Sequence, residues 1–207
     1  MPLSQQRPIL YAITSGATKS ETTPDDDEFI RILHLAEGAV AAQISLFQIR
    51  EKNLSTRVLY DLVTRAAKIT RGSLTKLLVN DRFDIALSAR ADGVHLTSTS
   101  LPAHVVRKIC GPELLIGAST HSLETACDAR DAGADFVVFG PVFETESKRE
   151  YGPPQGLDKL QQVASELRGF PVVAIGGITL DNAEGCFAAG ASGIAGIRLF
   201  DAFNPTR

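Results

Sequence analysis

The residues of this chain that can do chemistry stand in short clusters, each placed at or just after an apolar run. Val172-Val173-Ala174-Ile175 runs into Gly176-Gly177-Ile178-Thr179, and a second run, Gly193-Ile194-Ala195-Gly196, ends in Ile197 and Arg198. Glycines let a backbone approach an anion closely, and a helix starting behind them supplies free N–H groups and the positive end of its dipole. The two runs read as a site for a phosphorylated small molecule, with a tight turn into a helix as the plainer alternative. Upstream, Gln48, Arg50 and Lys52 alternate, which puts them on one side of an extended segment. Asn80, Asp81 and Arg82 follow Leu77-Leu78-Val79, and His95 sits in Gly93-Val94-His95-Leu96. Ser119 and His121 follow Leu115-Ile116-Gly117-Ala118, and Thr145, Ser147 and Lys148 stand in a charged stretch. Singly, each is an ordinary surface or capping residue. Together, Arg50, Lys52 and Lys148 around Asp81 form a cluster of cations with one carboxylate, which suits a diphosphate and a divalent metal. Asp81 as a simple helix N-cap is the competing reading.

Such residues need a frame that gathers the ends of successive apolar runs. Strands are expected at residues 9–14, 42–49, 77–80, 93–96, 115–119, 136–139, 171–174 and 193–197. Helices are expected near 28–37, 55–70, 83–89, 102–110, 122–133, 157–167 and 180–189. Asp25 or Asp26 is placed to cap the first helix, Pro102 suits a first turn, and Gly133 and Gly190 suit helix C-termini. Residues 15–27 and 140–156 read as long loops. Strands separated by helices imply a parallel sheet buried on both faces. Ala91-Asp92-Gly93-Val94, Ala134-Asp135-Phe136-Val137 and Ala191-Ser192-Gly193-Ile194 look like one repeated helix-to-strand turn. A doubly wound open sheet is the rival. Polar clusters after every strand favour an α/β chain closed into a (β/α)₈ TIM barrel, whose active sites form at the C-terminal strand ends. Little chain follows the eighth strand, so the final outer helix is expected to be short or missing. Residues 1–207 read as one domain.

Composition narrows the partners. Hydrophobic residues make up 44% of the chain and charged ones 22%, enough apolar material for a large core. A net charge of -3 argues against nucleic acid, so any positive site must be local. No apolar run reaches the roughly 18 residues of a spanning helix, and the polar start has no signal-peptide core. Neither a membrane nor a leader is expected. Cys110, Cys127 and Cys186 lack metal-binding spacing and read as small hydrophobes of a reducing cytoplasm.

Six segments then stand in a recognisable order: Gln48-Ile49-Arg50-Glu51-Lys52, Val79-Asn80-Asp81-Arg82, Ala91-Asp92-Gly93-Val94-His95-Leu96, Gly117-Ala118-Ser119-Thr120-His121, Phe139-Gly140-Pro141-Val142-Phe143-Glu144-Thr145 and Ala174-Ile175-Gly176-Gly177-Ile178-Thr179. From Leu10 to Ile197 the chain resembles the thiamine phosphate synthase family, which includes the TenI thiazole tautomerases. The resemblance implies a cytoplasmic (β/α)₈ barrel, usually dimeric. It implies a transferase that joins hydroxymethylpyrimidine diphosphate to thiazole phosphate and releases pyrophosphate. It also assigns roles. Gln48, Arg50, Lys52, Asn80 and Lys148 would hold the pyrimidine diphosphate, Ser119 would support the leaving pyrophosphate, and Asp81 would ligate Mg²⁺. Thr145, Gly176, Gly177, Ile197 and Arg198 would meet the thiazole phosphate. Lys148, Ser119 and Arg50 would stabilise the charge that develops on the leaving group.

The chain departs from the synthase pattern at four places. Ser100 stands where the second Mg²⁺ carboxylate belongs, Arg198 replaces a serine near the thiazole phosphate, Ser15-Gly16 replaces an acidic-basic pair, and the last outer helix is curtailed. Two rival readings follow. In the first, a TenI-like tautomerase, the family's catalytic histidine would fall at Pro141, leaving His95 and His121 as the candidates for proton transfer. In the second, the chain binds phosphorylated thiazole or thiamine compounds without catalysis.

Overall fold

The computed structural model describes residues 7–145 and 153–199. Among these residues eight strands alternate with seven helices: β1 Ile9–Ile13, α1 Asp27–Ala41, β2 Leu46–Ile49, α2 Thr56–Thr70, β3 Lys76–Asn80, α3 Phe83–Ser88, β4 Gly93–Leu96, α4 Ala103–Cys110, β5 Leu115–Thr120, α5 Leu123–Asp131, β6 Phe136–Phe139, α6 Gly156–Glu166, β7 Val172–Ile175, α7 Ala183–Ala188 and β8 Gly193–Gly196. Every strand pairs in parallel with the next, and β8 pairs with β1 (Tyr11 beside Ala195), so the sheet is a closed barrel in sequence order. The open-sheet alternative is excluded.

Why the strands are so apolar follows from this closure. Residues such as Leu77, Val79, Val94, Ile116, Val137 and Val172 point outward into the helical layer, while Ile9, Tyr11, Ile13, Leu46, Leu78, Phe136, Val138, Val173 and Ala195 fill the barrel. Gly117 is small for a stated reason: a Cβ there would lie 2.3 Å from the Phe136 ring. The polar inward positions, Gln48, Asn80, His95 and Ser119, come from β2, β3, β4 and β5. One side of the interior is therefore polar, and the β6–β8 side is apolar.

The repeated helix-to-strand phrases have a common physical job. Just before β4, Asp92 Oδ2 accepts the N–H of Leu77 at 2.9 Å, and just before β6, Asp135 Oδ2 accepts that of Ile116 at 2.7 Å. Ser192 Oγ accepts from Val172 at 3.4 Å before β8, and Ser45 Oγ accepts from Leu10 at 3.2 Å before β2. A short polar side chain at each of these turns satisfies a backbone donor of the preceding strand. Arg107 adds to the Asp135 turn, with a 2.6 Å ion pair and bonds to the Gly133, Gly111 and Leu114 carbonyls.

Several expected boundaries move. Helix α1 runs on to Ala41, because Ala36 and Ala39 bury against the sheet, and β2 starts only at Leu46 after Gln43 takes a positive φ of 54°. Asp26 is the N-cap of α1 in backbone position, yet its carboxylate turns back to Thr23 N and Oγ1. Pro102 precedes α4 as its N-cap. Helix α7 is shorter than expected because Asn182 holds a preceding turn: its Nδ2 donates to Gly177 O and its Oδ1 accepts from Thr179 N. Ile197 lies beyond β8. Gly133 and Gly190 do end their helices, at φ of 88° and 90°.

Candidate active site

The C-terminal ends of β2, β3 and β5 bring Gln48, Arg50, Asn80, Asp81 and Ser119 to one mouth. Gln48 is buried and donates from Nε2 to Asn80 Oδ1 at 3.0 Å, so the two amides form one unit. Arg50, half-buried, donates its backbone N–H to Thr14 Oγ1 at 2.9 Å. Its guanidinium lies against Gly16, where a Cβ would be 3.3 Å from Nη1. Lys52 is exposed one step further out. Ser119 is half-buried, with its Oγ 2.8 Å from His95 Nε2. Lys148 and Ser147 lie outside the described residues.

Asp81 is not the cap of α3. Arg82 holds that position, and the exposed Asp81 precedes it with a left-handed φ of 64°. Among the described residues no three His, Cys, Asp or Glu side chains converge. A site with one carboxylate fits Mg²⁺ only in the form in which substrate phosphates and water complete the shell. Ser100, at the position of the second expected carboxylate, accepts Thr97 N at 2.8 Å and thus closes the loop after β4.

Both histidines considered for proton transfer are placed unfavourably for it. His95 is 4% exposed inside the barrel, and burial, helped by the Arg50 charge, pushes its pKa down to about 4. His121 contacts the Gly140 carbonyl and lines a cavity between α5 and α6 with Phe139, Gln155 and Lys159.

At the β7 end, Gly176 and Gly177 have φ of 98° and 65°, which favour glycine. The loop after β6 presses on both: a Cβ at Gly176 would be 2.5 Å from Pro141 Cα, and one at Gly177 2.5 Å from Glu144 O. The helix does not start directly behind them, since the Asn182 turn intervenes. Thr145, half-buried, ends the described part of that same loop. Ile197 is 40% exposed and lines a groove with Ala12, Leu35 and Ile44 on the α1 side of the barrel. Arg198 is exposed and makes no ion pair with Glu184.

Two residues escaped the sequence reading. Glu51 is 3% exposed and accepts Gly16 N (3.1 Å), Thr18 N (3.1 Å) and Thr18 Oγ1 (2.7 Å), which fastens the loop after β1 over Arg50. The signal was an acid on the otherwise apolar side of the Gln48–Lys52 alternation. Tyr11 is fully buried, and burial pushes its phenol pKa well up. A hydroxyl in an apolar strand needs a buried partner.

Comparison with known proteins agrees with this arrangement. The family model described as thiamine monophosphate synthase matches residues 10–200. The chain belongs to that family. The thiamine-phosphate synthase of Chlorobium phaeovibrioides is 42% identical over 189 residues, spanning 91% of this chain and 84% of that relative. That of Moorella thermoacetica is 42% identical over 163 residues, 79% of this chain and 77% of the relative. The solved thiamine phosphate pyrophosphorylase of Pyrococcus furiosus superposes with a TM-score of 0.77 at 33% identity, over 98% of this chain and 90% of that one. No helix of the described thiamine monophosphate synthase family barrel is long and apolar enough to cross a membrane.

Proposed function

We propose that this chain is a thiamine phosphate synthase, which joins hydroxymethylpyrimidine diphosphate to thiazole phosphate and releases pyrophosphate. The observation that carries the reading is the shared mouth of the Gln48–Asn80 amide pair, Arg50, Asp81 and Ser119 on three strand ends of a family barrel. In the reaction the bond from the pyrimidine methylene to the diphosphate oxygen breaks, its electron pair leaves with pyrophosphate, and the thiazole nitrogen takes the carbon. The protein's task is to neutralise charge on the departing oxygens. Arg50, Lys52 and Lys148 supply cations, while Gln48, Asn80 and Ser119 supply hydrogen-bonding groups. Thr145, Gly176, Gly177, Ile197 and Arg198 are assigned to the thiazole phosphate. Asp81 would hold Mg²⁺, which when bound supplies further charge neutralisation on the phosphates.

Burial of His95 and the placement of His121 beside α5 and α6 speak against the tautomerase alternative. By the same reading the enzyme works in the cytoplasm as a homodimer, with phosphorylated small molecules and not nucleic acid as its partners. The test is pyrophosphate release from both precursors with Mg²⁺. Turnover is expected, and Lys148→Ala should lower it on the order of 100-fold, as loss of one electrostatic donor does. Binding of the thiazole phosphate without turnover would establish the non-catalytic binder instead.

A further inference from the structure

The polar side of the barrel interior is one continuous hydrogen-bonded chain. Ser119 Oγ lies 2.8 Å from His95 Nε2, and His95 Nδ1 lies 3.2 Å from Tyr11 Oη. Tyr11 Oη donates to Gln48 Oε1 at 2.8 Å, and Gln48 Nε2 donates to Asn80 Oδ1 at 3.0 Å. Its two ends, Ser119 and Asn80, are residues assigned above to the diphosphate, and its middle is sealed from water, since His95 is 4% and Tyr11 0% exposed.

A neutral imidazole has one donor and one acceptor nitrogen, and a phenol has one proton. These facts link every bond of the chain. If Tyr11 gives its proton to Gln48, its oxygen must accept from His95 Nδ1–H. His95 Nε2 is then an acceptor, and the Ser119 proton turns inward to it. Reversing any bond reverses all of them: Ser119 then has its O–H free, and the Gln48 and Asn80 amides turn over. The distances select the first direction for the free protein. A length of 2.8 Å is typical of O–H···O, whereas 3.2 Å is long for a phenol proton on nitrogen and acceptable for N–H···O.

We propose that this chain is a two-direction relay that sets whether Ser119 donates or accepts at the mouth, and that an anion reverses it. The proposal rests on the synthase reading for the identity of that anion, pyrophosphate. A phosphate oxygen accepts only, so it cannot bond a Ser119 whose proton points inward. Reversal frees the Ser119 O–H for it, and the Asn80 amide, with two N–H groups, still keeps one for the ligand. His95 and Tyr11 are buried inside the barrel; they are positioning residues that act through Ser119. Buried chains of this sort are held by mutual polarisation, which favours one direction or the other as a unit.

The experiment is nitrogen NMR of the His95 imidazole, assigned by its loss in His95→Gln, before and after saturation with inorganic pyrophosphate and Mg²⁺, with binding followed by calorimetry. The free protein should show the Nδ1–H tautomer and the bound protein Nε2–H. Tyr11→Phe keeps the ring and removes the hydroxyl. Its imidazole should read Nε2–H already without ligand, because Nδ1–H would have no buried acceptor. Pyrophosphate should then leave it unchanged. A free wild-type protein in the Nε2–H form overturns the assigned direction. Pyrophosphate bound with no change of tautomer overturns the relay and leaves the synthase reading standing. Failure of pyrophosphate to bind at all overturns both.

Discussion

Replacing Glu51 with alanine should loosen the mouth without touching any group assigned to substrate. The carboxylate takes three hydrogen bonds from the loop after β1, at 3.1, 3.1 and 2.7 Å. Thr18 is 1% exposed, so in Glu51→Ala its N–H is left buried and unpaired, at about 1–3 kcal/mol. The Gly16 N–H and the Thr18 hydroxyl each forfeit about 1 kcal/mol net. The loop can escape part of this by swinging into water, which leaves an expected loss of about 2–4 kcal/mol. For a domain of this size, a loss of about 3 kcal/mol lowers Tm by roughly 6–12 °C. Two measurements check it. Thermal unfolding gives the total, and amide hydrogen exchange at Gly16 and Thr18 reports the loop itself. Pyrophosphate affinity should fall with them, because the Arg50 guanidinium rests on Gly16. Glu51→Gln, which keeps one acceptor oxygen, should fall between. A Tm within roughly 2 °C of wild type, with exchange at both amides unchanged, would refute the idea that this carboxylate holds the loop.

Ser100→Asp should lower the Mg²⁺ concentration needed for turnover, since a carboxylate can keep the bond to Thr97 N and still offer a second oxygen; an unchanged Mg²⁺ titration would mean that the loop faces away from the metal. Arg198→Ser should weaken thiazole phosphate binding about tenfold, near 1.4 kcal/mol, measured by calorimetry; unchanged affinity would place this exposed guanidinium outside the site. His95, with its pKa lowered by burial from 6.5 to about 4, binds its proton more readily in the unfolded chain across that interval. Its contribution to stability is therefore complete above about pH 6.5 and is lost as pH falls toward 4, so denaturant unfolding of His95→Gln should show a shallower decline from pH 6.5 to 5 than the wild type.

Much of the frame was legible because closed parallel barrels bury their strands on both faces, and such strands show up as short apolar runs between turn residues. The limits of β4 and β6 were read to the residue for that reason. Boundaries failed where a side chain far from the pattern decided them. Asn182 shortens α7 by bonding Gly177, and no local periodicity reports it. The glycines at 176 and 177 were read as an anion cradle or a tight turn, and the sequence did not show that the loop from Pro141 to Glu144 leaves no room for a side chain at either. His95 looked like a group at the rim, since sequence alternation tells which side of a strand a residue is on and not how deep. The hydrogen-bonded chain from Ser119 to Asn80 draws on all of β1 to β5, so it exists only where the fold wraps those five strands around one interior.

That closure has a consequence for how the molecule is made. The strand that completes the ring, Gly193–Gly196, is the poorest in side-chain area, and it joins the first strand to the last across nearly the whole chain. Until it arrives, β1 and β7 are bare parallel edges, open to pairing with other chains. Contacts so distant in sequence are slow to form because the intervening chain must be ordered first. Ser192 stands at that junction, with its carbonyl accepting Ile9 N at 2.9 Å and its N–H donating to Val172 O at 2.8 Å. Of the described strands β8 follows all the others along the chain, so until it pairs, the two edges that it covers stay open to other molecules of the protein, and aggregation competes with closure of the ring.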